Sequence, residues 1–165
     1  MNSQEEKMYE CPNCHDNVKE DDEFCPNCGN LFVDTKCDNH NDQDAEGACI
    51  ICCTPYCKKC GGWYNNLFLC EEHSGYEIYQ GMARVFGSGD SLEVEYAKDC
   101  LIKEGLHPFI YSRKASPISL GGVDYTLYRP SGDFDGHIIN ELKLMVSVQE
   151  VINAEKVLIE LNIIK

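Results

Sequence analysis

The sequence lacks any apolar run near the length of a membrane-spanning helix. It begins MNSQEEKMYE, without a basic leader ahead of an apolar core. A spanning helix needs about 18 or more consecutive apolar residues, and a secretory signal needs a basic start and an apolar stretch. We therefore expect no membrane insertion and a cytoplasmic protein.

Basic residues are scarce in the N-terminal half. The first 75 residues hold five lysines and no arginine against fifteen aspartates and glutamates, and the whole chain has a net charge of −14. Proteins bind nucleic acids largely by neutralising phosphates with lysine and arginine. This composition argues against direct contact with DNA or RNA, and it leaves a protein of unknown identity as the expected partner.

Cysteine is nearly absent from the C-terminal half, where Cys100 is the only one of the twelve cysteines. A chain of 165 residues has room for one modest domain and some small metal-stabilised modules. The distribution predicts two small metal-stabilised modules, at residues 9–32 and 37–75, and a small α/β domain at residues 79–165.

The longest motif runs from Cys37 to His73 as C-x2-H, C-x2-C, C-x2-C and C-x2-H. Structural zinc takes four thiolate or imidazole ligands in a tetrahedron. Four pairs therefore supply two closed sites, and the histidines at ligand positions favour metal over disulfides. The eight candidate ligands are Cys37, His40, Cys49, Cys52, Cys57, Cys60, Cys70 and His73.

The spacing leaves two ways to divide these ligands. A sequential division gives each ion two neighbouring pairs, whereas an interleaved cross-brace gives each ion alternate pairs. Only four residues separate Cys52 from Cys57, too few for two independent metal lobes, so we favour interleaving. The expected sets are then Cys37, His40, Cys57 and Cys60 for one ion, and Cys49, Cys52, Cys70 and His73 for the other.

This segment resembles the B-box zinc finger, including the run Cys-x-x-Cys-x-x-Pro-x-Cys-x-x-Cys that begins at Cys49. Cys53 stands where bacterial B-box-like segments usually carry glycine, so Cys52 and Cys53 compete as the ligand. The C-x2-C spacing favours Cys52, because one turn of backbone then presents two sulfurs to one ion.

An earlier motif, CPNC followed ten residues later by CPNCG, resembles the small zinc ribbons of many prokaryotic proteins. Gly29 after the second pair supplies the positive φ of a metal-binding turn, and His15 takes the equivalent place after the first. The same double turn could hold iron, as in rubredoxins. The four ligands are Cys11, Cys14, Cys25 and Cys28, and zinc is expected to supply folding free energy on the order of 10 kcal/mol.

The run GGWYNNLFLC predicts a β-hairpin that turns at Asn65 and Asn66. Its large side chains have two possible roles: they fill the space between two zinc sites, or they form an exposed protein-docking patch. These side chains are Trp63, Tyr64, Leu67 and Phe68.

Beyond residue 76 the pattern predicts an α+β fold in the order β-α-β-β-β-α, with both helices on one face of a small antiparallel or mixed sheet. Asp90 and Glu93 predict a capping box for the first helix, Gly105 its end, and Cys100 a buried position within it. Val151, Ala154, Leu158 and Leu161 should face inward on the second helix. We predict strands at residues 82–86, 108–112, 123–128 and 142–148, and helices at about residues 90–104 and 150–161.

Residues 80–161 resemble a family of small bacterial signal-transducing domains, similar to the ferredoxin-like class. The resemblance lies in Arg84-Val85-Phe86, in the helix that ends Glu-Gly-Leu at residue 106, and in the late strand before the helix that contains Ala154. It implies a fold and no specific chemistry. Residues 112–141 are longer than the corresponding part of that family, and we interpret them as a long hairpin rather than a partner-specific loop.

These patterns favour a protein that is not an enzyme. Three sites of four ligands use all twelve candidates, so no zinc ion keeps an open position for substrate. His15, His107 and His137 lack an accompanying nucleophile motif, and we expect surface or capping roles for them.

We expect three zinc ions and a non-enzymatic adaptor or regulatory protein that acts through protein contacts. One alternative is a sensor whose C-terminal domain binds a metabolite. Another is a ubiquitin-transfer enzyme, because B-boxes share the cross-brace with RING domains, but the prokaryotic character of the C-terminal resemblance argues against it. An anion could also bind a set of basic side chains, namely Arg113, Lys114, Arg129 and His137.

Overall fold

The computed structural model describes residues 8–112, 133–134, 137–138 and 141–165. The chain divides into two compact units, Met1–Tyr76 and Glu77–Lys165. Of the helices in the described residues, none combines the length and the apolar character that crossing a membrane requires.

Short antiparallel hairpins make up the N-terminal unit. Its buried side chains include seven cysteines, so potential metal ligands occupy much of the space that an apolar core fills in a larger domain. A 3-10 turn covers Glu71–His73. The paired strands are β1 (Met8–Glu10) with β2 (Asn17–Lys19), β3 (Gly47–Ala48) with β4 (Pro55–Tyr56), and β5 (Gly61–Tyr64) with β6 (Leu67–Cys70).

Phe68 joins the two cysteine-rich segments of this unit. Phe68 is fully buried, and a Cβ added to Gly29, Gly47 or Gly61 would come closer than 3.0 Å to its side chain. Its backbone N–H donates to the Cys28 carbonyl at 2.8 Å, and the Ala48 N–H donates to the Gly29 carbonyl at 2.9 Å. The segments predicted as separate zinc modules therefore pack together within one unit.

The C-terminal unit contains a four-stranded antiparallel sheet. Two helices, α1 (Ser91–Lys103) and α2 (Val151–Glu160), pack on this sheet and on each other. A separate hairpin pairs β10 (Asp133–Phe134) with β11 (His137–Ile138). The sheet strands are β7 (Ile78–Tyr79), β8 (Met82–Ser88), β9 (Phe109–Ser112) and β12 (Leu142–Ser147).

The path of the chain is that of a split β-α-β unit. β8 and β9 both run antiparallel to β12, which lies between them, so β8 and β9 are parallel to each other. Helix α1 connects β8 to β9. This arrangement confirms the predicted α+β class. β7 was not predicted; it is only two residues long and turns into β8 through Gln80 and Gly81, both at positive φ.

The ends of α1 follow the predicted residues with one difference. Asp90 caps the helix by accepting from the Leu92 N–H at 2.8 Å, but Glu93 accepts from the Ser88 hydroxyl at 2.6 Å instead of completing the predicted capping box. Gly105 has a φ of +79° just beyond the helix, as expected for a residue that ends it. Cys100 is buried within the helix, also as predicted.

Two other predictions for this unit have different outcomes. Leu161 was expected to face inward, but it is 44 % exposed because α2 ends at Glu160 and Asn162 turns the chain at positive φ. The predicted strand at residues 123–128 lies outside the described residues, as does most of the long hairpin predicted for residues 112–141.

Candidate metal centres

Ten cysteines and two histidines converge in three groups of four within the described residues. In each group the four donor atoms lie within 4.8 Å of one another. The division is the interleaved one. The groups are Cys11, Cys14, Cys25 and Cys28; Cys37, His40, Cys57 and Cys60; and Cys49, Cys52, Cys70 and His73.

The separations between donor atoms fit a tetrahedral ion. Bonds of about 2.3 Å to sulfur and about 2.0 Å to nitrogen place two sulfurs about 3.8 Å apart and a sulfur about 3.5 Å from a nitrogen. The Sγ atoms of Cys11 and Cys28 lie 3.8 Å apart, and those of Cys57 and Cys60 lie 3.9 Å apart. A disulfide would bring the sulfurs to about 2.05 Å, so these cysteines are unpaired thiols arranged as metal ligands.

The first group forms between two similar backbone turns. The N–H of His15 donates to the Cys11 carbonyl at 2.9 Å, and the N–H of Gly29 donates to the Cys25 carbonyl at 2.8 Å. His15 and Gly29 both have positive φ, as the sequence predicted. Each turn therefore presents two sulfurs on one side of the backbone.

In the second group, the Nδ1 atom of His40 is the fourth donor beside three sulfurs. This nitrogen lies 3.8 Å from the Sγ of Cys37, 3.6 Å from that of Cys57 and 3.2 Å from that of Cys60. The Asp38 N–H donates to the Pro55 carbonyl at 3.0 Å, which holds the first ligand pair against the strand that leads to the second pair.

The third group joins the turn after β3 to the end of β6. The Nδ1 of His73 lies 3.5 Å from the Sγ of Cys49 and 3.0 Å from that of Cys70. The 3-10 turn at Glu71–His73 places His73 beside Cys70. This group joins residues 49–52 to residues 70–73, whereas the second group joins residues 37–40 to residues 57–60. The two groups therefore hold different parts of the chain together.

Cys52 belongs to the third group, and Cys53 does not. Cys53 is exposed, has a φ of +58°, and donates its N–H to the Cys49 carbonyl at 2.7 Å. His15 and Gly29 make the same bond in the first group. Cys53 thus occupies the glycine position of the turn, in agreement with the C-x2-C spacing.

One thiol in each group has a lowered pKa, although burial acts to raise the pKa in all three cases. Hydrogen bonds from Asn27 and the Asp16 backbone outweigh burial and lower the pKa of Cys14 to about 7. The backbone of Cys57 and the His40 ring lower the pKa of Cys37 to about 6 in the same way. A hydrogen bond with Cys52 is the largest cause that lowers the pKa of Cys49 to about 7.

Other thiols in the first and third groups have a raised pKa. The hydrogen bond between Cys52 and Cys49, together with burial, raises the pKa of Cys52 to about 12. Burial likewise raises the pKa of Cys25 and of Cys70. Cysteine binds a metal ion as the thiolate, so an ion that binds to any of these groups displaces the remaining thiol protons.

Two histidines outside the three groups, His15 and His107, contact carboxylates. His15 Nδ1 lies 2.6 Å from Glu10 Oε1, and His107 Nδ1 lies 2.8 Å from Glu150 Oε1. Both rings are largely exposed. Of the proposed anion-binding set, Arg113, Lys114 and Arg129 lie outside the described residues, and His137 is described only as part of β11.

The aromatic hairpin is partly buried and partly exposed. Phe68 is fully buried and Leu67 is half-buried, whereas Trp63 is 39 % and Tyr64 is 46 % exposed. Asn65 and Asn66 both have positive φ, as predicted for the turn. The edge of the Trp63 ring contacts Phe68, with the ring centroids 5.4 Å apart and the planes at 75°.

The N-terminal unit is built from zinc-binding modules. Residues 7–32 match the family model of a zinc-ribbon domain. That range contains the first group of four cysteines, and the other two groups have the donor sets and spacing of zinc sites. Neither a curated protein sequence nor a solved structure matches the chain significantly.

Proposed function

We propose that this protein is a non-enzymatic adaptor whose N-terminal unit is held together by three zinc ions and presents a surface to a protein partner. The observation that carries the proposal is the completeness of the three donor groups, each with four ligands. A zinc ion with four protein ligands has no position for water or substrate, so its role is structural.

Zinc suits the donor sets better than other common metals. Thiolates combined with imidazole are typical zinc ligands, and two of the groups contain one histidine each. The all-cysteine group of Cys11 also suits iron, so a rubredoxin-like centre is the alternative at that site. Iron there would colour the purified protein, whereas zinc has no visible absorption.

The two resemblances support the same function. The interleaved groups between Cys37 and His73 have the cross-brace expected of a B-box-type module. The split β-α-β unit of the C-terminal sheet agrees with the ferredoxin-like class expected of the signal-transducing family. We therefore infer a regulatory protein in which both units serve recognition.

The surface proposed for the partner is the tip of the hairpin formed by β5 and β6. Trp63 and Tyr64 are consecutive residues there, on opposite faces of the hairpin, and both remain more than a third exposed, although β6 is mostly buried. Tryptophan and tyrosine are enriched among the residues that dominate protein interfaces. The Trp63 ring also rests against the buried Phe68, which limits its motion in the free protein.

The experiment is affinity capture with the full-length protein as bait. Wild-type bait, a W63S/Y64S variant and a Y96S control, which changes an exposed tyrosine on α1, are compared after metal analysis shows equal loading. The proposal predicts a stoichiometric protein partner for the wild type and the control, and its loss with W63S/Y64S. A partner that W63S/Y64S still captures, or a co-purifying metabolite without any protein, would contradict it.

A further inference from the structure

The C-terminal sheet has one face that the helices do not cover in the described part of the chain. Side chains along β12 alternate, so Leu144 and Val146 face the helices and are fully buried. Lys143 and Met145 face the other way. The register pairs Tyr111 with Lys143 and Phe109 with Met145, which places these two aromatic residues on the face away from the helices.

Two tyrosines from opposite edges of the sheet meet over this face. Tyr79 is on β7 and Tyr111 is on β9, which are separated by β8 and β12. Adjacent strands lie about 4.8 Å apart, so the two edge strands are about 14 Å apart. The ring centroids are nevertheless only 6.5 Å apart, with the planes tilted by 41°. Both side chains therefore lean inward across the central strands.

The tyrosines, together with Phe109, surround a cavity of about 620 Å³. Met82 and Met145 on the central strands line it as well. The volume is within the range of small-molecule sites. Aromatic rings and thioether sulfurs make favourable contacts with flat, polarisable groups, so the lining suits an aromatic ligand better than a free ion.

The cavity also has one well-defined polar feature. The Lys143 ammonium donates to both carboxylate oxygens of Glu77, at 2.6 and 2.7 Å. These contacts hold the lysine, whose side chain is only 19 % exposed, at the wall of the cavity. An ammonium has three N–H donors, and the Glu77 pair accounts for two of them. A ligand oxygen at the wall could accept from the third.

We propose that this face of the sheet binds a planar aromatic small molecule, which stacks against Tyr79 and Tyr111 and accepts a hydrogen bond from Lys143 at its rim. The Glu77 carboxylate balances the ammonium charge, so the oxygen of the ligand can belong to an amide or to a single carboxylate. This site is independent of the hairpin proposed for the protein partner, since all its residues lie in the C-terminal unit.

The test is a titration of the full-length, metal-loaded, 15N-labelled protein followed by amide chemical shifts. The probes are indole-3-carboxylate and quinoline-4-carboxamide, and cyclohexanecarboxylate serves as the saturated-ring control. The two aromatic probes should shift amides at residues 77–82, 109–112 and 143–145, and the saturated control should not. Failure of both aromatic probes to shift these amides, or equal shifts with the saturated ring, would overturn the proposal.

Variants separate stacking from general apolar binding. Y79L/Y111L keeps apolar side chains but removes the rings and should weaken the aromatic probes by at least about tenfold. Y96L changes an exposed tyrosine on α1 and should leave their affinity unchanged. Dispersed spectra establish that both variants fold. If Y79L/Y111L binds as well as the wild type, the assignment of this site to the two tyrosines is wrong.

Discussion

Cys52 and Cys53 are adjacent in sequence but have different roles. Cys52 belongs to a donor group with Cys49, Cys70 and His73, whereas the Cys53 amide donates to the Cys49 carbonyl at 2.7 Å and its side chain is exposed. The left-handed conformation at Cys53, with φ of +58°, is the one that glycine adopts most readily. Cys52 therefore supplies a candidate ligand sulfur, whereas Cys53 supplies the backbone conformation of the turn.

This difference predicts opposite results for two substitutions. C52S should lose one metal ion per chain, because a hydroxyl is a poor replacement for a thiolate ligand. C53G should keep the full metal content and raise stability by up to about 1 kcal/mol, because glycine relieves the strain of the left-handed conformation. Elemental analysis and thermal unfolding measure both effects, and a loss of metal in C53G would show that Cys53 is the ligand.

Gly29 is predicted to be required for the contact between the two cysteine-rich segments. An added methyl group would overlap the Ala48 carbonyl and approach the Phe68 Cβ, at a position where φ is already +85°. We expect G29A to lower the free energy of unfolding of the N-terminal unit by more than about 1 kcal/mol. The matched control is G75A, in the same unit, where a Cβ meets nothing within 4 Å. Equal thermal stability of the two variants would contradict this role.

Metal removal should affect the two units differently. The N-terminal unit has strands of two to four residues, and seven of its cysteines are buried, so its fold depends on metal. The C-terminal unit has its own apolar core, which includes Leu101, Leu144 and Leu158. A zinc chelator should remove amide protection from residues 11–74 and leave it in α1 and α2. Loss of protection in both units together would refute this independence.

Glu150 is predicted to stabilise the C-terminal unit in a pH-dependent way. Burial acts to raise its pKa, but hydrogen bonds from the side chain and backbone of His107 outweigh burial and lower the pKa below the usual 4.5. Because the folded-state pKa is the lower one, the stabilisation is present above the unfolded-state pKa and disappears as the pH falls through the folded-state value.

We therefore expect E150Q to lose about 1 kcal/mol or less near neutral pH, and to lose nothing once the carboxyl is protonated in both states. Denaturant unfolding followed by helix circular dichroism reports the C-terminal unit, since α1 and α2 both lie there. E160Q, which changes an exposed carboxyl on α2, is the control. A difference between E150Q and wild type that persists at the lowest pH would exclude this mechanism.

The metal ligands were predictable because their spacing is local. Two residues between the members of each pair suit one backbone turn, and the short stretch between Cys52 and Cys57 favoured interleaving. The α+β class of the C-terminal unit was predictable from hydrophobic periodicity, and the ends of α1 were predictable from Asp90 and Gly105. These features depend on residues close together in the chain.

Features that depend on distant residues were not predictable. Gly29 was predicted as a turn residue, and only the structure shows that Gly29, Gly47 and Gly61 all make room for Phe68. Trp63 is paired with Phe68 across the hairpin, yet one is exposed and the other is buried because of packing from other segments. The meeting of Tyr79 and Tyr111 likewise depends on the sheet order.

The most direct test of the metal-scaffold proposal is metal analysis combined with X-ray absorption spectroscopy on the full-length protein. The proposal predicts three zinc ions per chain, with ten sulfur and two nitrogen ligands shared among them. Fewer than three ions, or an oxygen ligand from water at any of them, would contradict it.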